Sequence, residues 1–277
     1  GTATLIGDPP NIMIGSAAGL SFADFVMVDA PAAIICLIVM IGLFYLLFGR
    51  KFKVDEEHKR ALMERDEREE IKNPTLLRQS VIMIILVTAG FMLHGSLGIE
   101  SCVVALTAAG ILMLISGERI EEALAHVEWT TLVFFAGLFI VVGALSEVGV
   151  IGMLAQALID VTGGSTFIAM LVLLFASAVI SSFLDNIPFV ATMIPILLSM
   201  EATGMDVMPL WWAVSLGACL GGNGTLIGAS ANVVMSDIAK KHGTEITFMG
   251  FLKYGFPIML VTIAVSAVYL VVRFPPM

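Results

Sequence analysis

The chain has 277 residues, of which 58% are hydrophobic and 13% charged, with a formal net charge of −9 and a mean hydropathy of +1.00. This composition lies outside the soluble globular range, and several apolar runs suffice to cross roughly 30 Å of hydrocarbon at about 1.5 Å per residue. No basic patch interleaved with aromatics occurs, so nucleic acid is excluded as a partner, and the expected fold class is an all-α polytopic membrane protein set in a lipid bilayer.

Residues 1–8 read as unwound backbone. Asp8-Pro9-Pro10 then starts a helix, with Asp at the N-cap and proline in the first turn, running to about Leu20. The next span is expected over 31–48, so that 1–48 forms one unit. Residues 49–80 are a charged loop holding nine of the fourteen Lys and Arg: Arg50, Lys51, Lys53, Lys59, Arg60, Arg65, Arg68, Lys72 and Arg78. Its alternating acids predict a solvated helix at the centre with i,i+4 pairs, and its basic excess assigns it to the cytoplasm.

Scaffold spans follow over 81–147. Residues 81–97 go out, 101–115 return, 118–129 form an amphipathic helix on the inner surface, and 131–146 go out again. Residues 148–165 stay peripheral on the outer side. Within 166–200, two apolar arms (167–183 and 187–200) join at Leu184-Asp185-Asn186, and the shortness of the second favours a re-entrant hairpin over two full spans. Both readings return the chain to the same side. In 201–277, residues 210–220 enter from outside with Trp211-Trp212 at the interface, a break occupies 221–228, and 230–239 complete the crossing. Residues 256–272 then exit. Along this path thirteen of the fourteen Lys and Arg are cytoplasmic, Arg273 being the exception.

The break carries four glycines, two asparagines, a threonine and a serine over 221–232, and its pattern occurs twice. Gly1-Thr2-Ala3-Thr4-Leu5-Ile6-Gly7-Asp8-Pro9-Pro10-Asn11 aligns without a gap on 222–232, matching at Gly, Thr, Leu, Ile, Gly and Asn. The pairing resumes at Ser21-Phe22 with Thr247-Phe248, Phe25 with Phe251, and Pro31 with Pro257, the prolines read as helix starts. The topology runs the two copies in opposite senses, an inverted repeat. Because the chain begins inside a motif, and only the second copy has partner segments upstream, it reads as a fragment lacking its N-terminal part.

An opened helix leaves amides and carbonyls to be satisfied by protein or by a ligand-filled cavity. Helix N-termini suit anions, whereas carbonyls with Asn and Thr oxygens suit Na+. The candidate ion-binding residues are Gly222, Asn223, Gly224, Thr225 and Asn232, with counterparts Thr2, Thr4 and Asn11. Asp8 joins them as cap or ligand, and Ser181, Ser182, Asp185 and Asn186 come from the hairpin tip. Asp185, an ionisable group at membrane depth, is the leading candidate for the coupling ion; the bland alternative is a cap on the returning arm. Asp185, Asn186 and Asn223 form a possible Na+ set. His94 could carry a proton, but reads better as a bonded helix histidine. Cys36, Cys102 and Cys219 stand singly and read as small buried hydrophobes.

GTATLIGDPPN, SSFLDNIPFVATMIPI and LGACLGGNGTLIGASANVV resemble the ArsB/NhaD permease branch of the ion-transporter superfamily, in its melanosomal P protein-like part. The resemblance covers essentially the whole chain. It implies two re-entrant hairpins and two broken helices meeting at a midplane site, a moving transport domain and a homodimer. Asp185-Asn186 would be the second hairpin tip, 222–225 the second break, and the first hairpin would precede Gly1. The function expected is secondary transport of a small anion or oxyanion, such as arsenite or antimonite, coupled to H+ or Na+. No cofactor and no catalytic residue are expected. The alternatives are Na+/H+ antiport, an intramembrane aspartyl protease using Asp8 and Asp185, and a non-transporting sensor. The protease reading is opposed by the lack of YD and GxGD and by Ala229 standing opposite Asp8.

Overall fold

The computed structural model describes residues 1–49, 56–64, 71, 73–117 and 119–276. Among the described residues the regular structure is helical. The helices are α1 Pro9–Ala18, α2 Phe22–Phe48, α3 Glu56–Met63, α4 Pro74–Leu97, α5 Ser101–Ser116, α6 Ile120–Ala125, α7 Trp129–Glu147, α8 Val150–Val161, α9 Thr166–Phe183, α10 Asn186–Ala202, α11 Met208–Gly221, α12 Ser230–Lys241 and α13 Phe248–Arg273. Five of them, α2, α4, α7, α9 and α13, are long and apolar enough to cross a membrane. Large apolar side chains such as Ile38, Leu46, Ile84, Leu114 and Ile140 face outward. Exposure on that scale fits lipid rather than water as the surrounding solvent. The chain is an all-α polytopic membrane protein.

Local chemistry sets the helix ends. Asn73 accepts from the Leu76 amide with Pro74 in the first turn of α4, Ser165 accepts from Ile168 ahead of α9, and Thr247 accepts from Gly250 ahead of α13. At the end of α1, Gly19 adopts φ 66, and its amide closes onto Gly15.

The chain divides into two compact units, 1–40 with 130–277, and 41–129. In the first, α11 is the core: every residue from Pro209 to Gly221 is buried. It lies directly against α9, because Gly217 and Gly221 remove the side chains that would hold the two apart. A Cβ on Gly221 would sit 2.6 Å from the Ala178 carbonyl oxygen, and one on Gly217 2.7 Å from that of Leu174. In the second unit α4 packs on α5, with Gly90 against Val104 and Gln79 donating to the Ile115 carbonyl at 3.0 Å. The His94 ring nitrogen lies 3.2 Å from the Ile99 carbonyl at the end of α4.

Four expectations need correction. Cys36 and Cys219 are buried as expected, but Cys102 is exposed. Trp211 and Trp212 are buried at 3% and 2% exposure, so they do not present themselves at an interface; Trp212 packs edge-on against Phe25. Pro31 and Pro257 do not start helices but lie inside α2 and α13. These helices start earlier, at the Ser21 and Thr247 caps, and proline removes only one ladder bond from a long helix. The amphipathic helix expected over 118–129 is the short α6 alone, and residue 118 lies outside the described residues. Arg119 sits at its N-cap, ion-paired to Glu121 and Glu122, and Trp129 already belongs to α7.

Candidate functional site

The two breaks are closed by closely similar bonds, one at an equivalent position in both copies and the other one residue apart. Asn11 Nδ2 donates to the carbonyls of Thr2 (3.3 Å) and Thr4 (3.1 Å). Asn232 Nδ2 donates to those of Gly222 (2.9 Å) and Thr225 (3.0 Å). The Gly7 amide bonds the Thr4 carbonyl at 3.1 Å, and the Gly228 amide bonds that of Thr225 at 3.3 Å. Asp8 has φ −150 and ψ 140; Ala229 has φ −151 and ψ 141. In each copy an asparagine one turn into the following helix reaches back and satisfies carbonyls that unwinding released. Glycine is required where the loop crosses itself: a Cβ on Gly7 would lie 2.0 Å from the Gly1 oxygen, and one on Gly228 2.8 Å from that of Gly222. The likeness extends to the next helices. Ser21 and Thr247 accept from the Asp24 and Gly250 amides at 3.3 and 3.1 Å, and each cap precedes a helix with proline inside.

The turn between α9 and α10 touches both breaks. The Thr225 hydroxyl donates to the Ser182 carbonyl, and a Cβ on Gly224 would come 2.8 Å from Ser182 Cβ. A few residues on, Asn186 Nδ2 donates to Asp8 Oδ2 at 2.9 Å. The hydroxyls of Ser181 and Ser182 donate to the carbonyls of Ala218 and Val179, at 2.8 and 2.7 Å. Asp185 Oδ1 accepts from the Ile187 amide at 3.0 Å, the bond of a cap. Asp8 behaves otherwise. It occupies the N-cap position of α1, yet its carboxylate makes no cap bond and turns to Asn186. Asn186, Gly222, Gly224 and Thr225 are buried; Thr2, Thr4, Asp8, Asp185 and Asn232 are half-buried; Asn223 is exposed. Asp8, Asp185 and Asn186 thus gather at one side of the turn, and Ser182, Gly224 and Thr225 at the other.

Three residues complete the cluster that sequence reasoning did not place there. Asn11, fully buried, turns Oδ1 towards Ser215 Oγ (2.8 Å) and Cys219 Sγ (3.3 Å) on α11. Ser215 Oγ also lies 2.5 Å from Oδ2 of Asp29 on α2, whose exposure is 0%. The signal for Asp29 existed: it is an acid inside an apolar helix. Starting the span at Pro31 hid it. Among the described residues, Lys59 pairs with Glu56 and Arg119 with Glu121 and Glu122, and no Lys, Arg or His side chain is paired with Asp8, Asp29 or Asp185.

Helices interrupted at glycine, re-tied by asparagine and gathered round a polar helix–helix turn define a multi-pass membrane protein with two broken helices. Residues 1–217 match the CitMHS family, described as "Citrate transporter", and the chain belongs to that family. It is 43% identical over 277 residues to a 46 kDa membrane protein of Mycobacterium leprae, covering 99% of this chain and 65% of the relative. An uncharacterized transporter of Mycobacterium tuberculosis is 45% identical over 278 residues, 99% of this chain and 64% of the relative. The P protein of Sus scrofa is 40% identical over 230 residues, 79% of this chain and 27% of the relative. The chain therefore spans a little under two thirds of the length of the bacterial relatives it matches. The permease resemblance read from the motifs is borne out.

Proposed function

We propose that the chain supplies one part of the substrate site of a secondary active transporter, which moves a small anion or oxyanion by alternating access, coupled to H+ or Na+. One observation carries this reading. At equivalent positions of two breaks with the same backbone angles, the first has Asp8 and the second has Ala229. At the start of α12 no side chain caps the first turn, and the amides with the positive end of the helix dipole favour an anion. At the start of α1 a carboxylate stands instead, hydrogen-bonded to Asn186, and favours a proton or Na+. The family description makes citrate one anion to test, and the motif resemblance makes arsenite and antimonite others.

The test is uptake by the full-length protein in proteoliposomes, with citrate, arsenite, antimonite and chloride under imposed pH and Na+ gradients. Accumulation of one anion that follows one gradient supports the reading; no accumulation of any under either gradient refutes it. Three carboxyls that pair with no Lys, Arg or His side chain among the described residues favour Na+/H+ antiport as the second reading. It predicts Na+-driven pH change with no anion present.

A further inference from the structure

The hydrogen atoms around Ser215 do not balance if Asp29 is ionised. Ser215 has one hydroxyl hydrogen and two oxygens within reach, Asn11 Oδ1 at 2.8 Å and Asp29 Oδ2 at 2.5 Å. The Asn11 amide cannot turn round to help. Its Nδ2 faces two carbonyls, which only accept, so its Oδ1 must face Ser215 and Cys219 as an acceptor. Among the described residues Asp29 Oδ1 has no hydrogen-bond partner, although the residue has no exposed surface. An ionised Asp29 would be a buried charge sharing one contested hydrogen, an arrangement that costs several kcal/mol. A proton on Oδ2 closes the count: Asp29 donates to Ser215, Ser215 donates to Asn11, and Asn11 donates to Thr2 and Thr4.

We propose that Asp29 is a proton-binding residue whose neutral carboxyl latches α2 and α11 to the first break. Release of the proton to water leaves a carboxylate that takes the Ser215 hydrogen for itself. Asn11 then loses that bond, and the tie to the carbonyls of Thr2 and Thr4 is weakened at the point where the backbone is already open. The other titratable groups near Asp29 are few. Cys219 faces Asn11 from α11, and Asp8 lies beyond it at the first break. From α13 the Tyr269 hydroxyl donates to the Val28 carbonyl at 2.8 Å, and Arg273 lies a turn further along that helix. Among the described residues, no Lys, Arg or His nitrogen lies within ion-pair distance of Asp29. The latch makes H+ the coupling ion, and in that consequence it rests on the transport reading above.

Infrared spectroscopy of the full-length protein tests the proton separately from transport. The wild type is expected to show the carbonyl band of a protonated carboxyl at neutral pH. Asp29→Asn should lose that band, Asp29→Glu should move it, and Ser215→Ala should shift it by removing the acceptor. In proteoliposomes Asp29→Asn, locked neutral, should lose pH-gradient-driven uptake yet keep substrate exchange across the membrane. A spectrum unchanged by both Asp29 variants overturns the protonated carboxyl, and uptake of Asp29→Asn with wild-type pH dependence overturns the latch. If the band behaves as expected but no anion is transported, the transport reading fails and the protonated carboxyl stands.

Discussion

The two asparagines that re-tie the breaks each make two bonds to their own backbone but differ in what lies behind them, and this difference predicts a ranking. Asn232 makes two bonds, to Gly222 and Thr225, and is half-buried. Asn11 also makes two, to Thr2 and Thr4, is fully buried, and accepts in addition from Ser215 and Cys219. A hydrogen bond contributes about 1 kcal/mol net, and a buried partner left unsatisfied costs about 1–3 kcal/mol. Asn232→Ala should therefore destabilise the full-length protein by about 2 kcal/mol, and Asn11→Ala by about 4 kcal/mol or more, since it strands groups that water cannot reach. Reversible unfolding in mixed micelles gives both values. Equal losses, or a larger loss for Asn232→Ala, would refute the idea that Asn11 joins the break to α11 as well as closing it.

Further variants probe the same construction. Gly221→Ala drives a methyl to 2.6 Å from a backbone oxygen that cannot swing away, and should cost about 2–3 kcal/mol or lower folded yield in detergent. Gly42→Ala has open space around it, and as a helix-interior glycine should be neutral or gain up to about 1 kcal/mol; thermal stability compares the two. Thr225→Val removes the hydroxyl that donates to Ser182, and should cost about 1–3 kcal/mol while leaving membrane insertion intact. Gly7→Ala should be worse tolerated than Gly228→Ala, because its methyl would meet an oxygen at 2.0 Å rather than 2.8 Å; expression of folded protein ranks them.

The breaks were legible because unwinding a helix in lipid needs unusual residues. Glycine at the crossing points and asparagine as the eleventh residue of the motif are chemical demands of that shape, and they stand out in an apolar chain. The doubled pattern paired Asn11 with Asn232 as ion-binding candidates; that both donate back onto carbonyls of their own break came only from the structure. The burial of Trp211 and Trp212 was not legible from hydropathy. A helix apolar on all faces gives no sign of whether protein or lipid surrounds it. The better signal was the spacing of Gly217 and Gly221, small residues on one face that allow α9 to approach. The Asn186–Asp8 bond spans 178 positions, and a tertiary contact of that kind has no local signature. Asp29 was missed for a simpler reason. Pro31 has the look of a helix boundary, but α2 runs through it and carries Asp29 inside the span.

The central claim is a division of labour between two breaks of one shape, a carboxylate at the first and bare amides at the second. Uptake by the full-length protein carrying Asp8→Asn or Ala229→Asp, each beside the wild type under imposed gradients, tests it most directly. Asp8→Asn should abolish the dependence on the H+ or Na+ gradient while substrate exchange persists, and Ala229→Asp should abolish anion uptake by placing a negative charge where the anion binds. Wild-type, gradient-driven anion uptake by both variants would contradict the account.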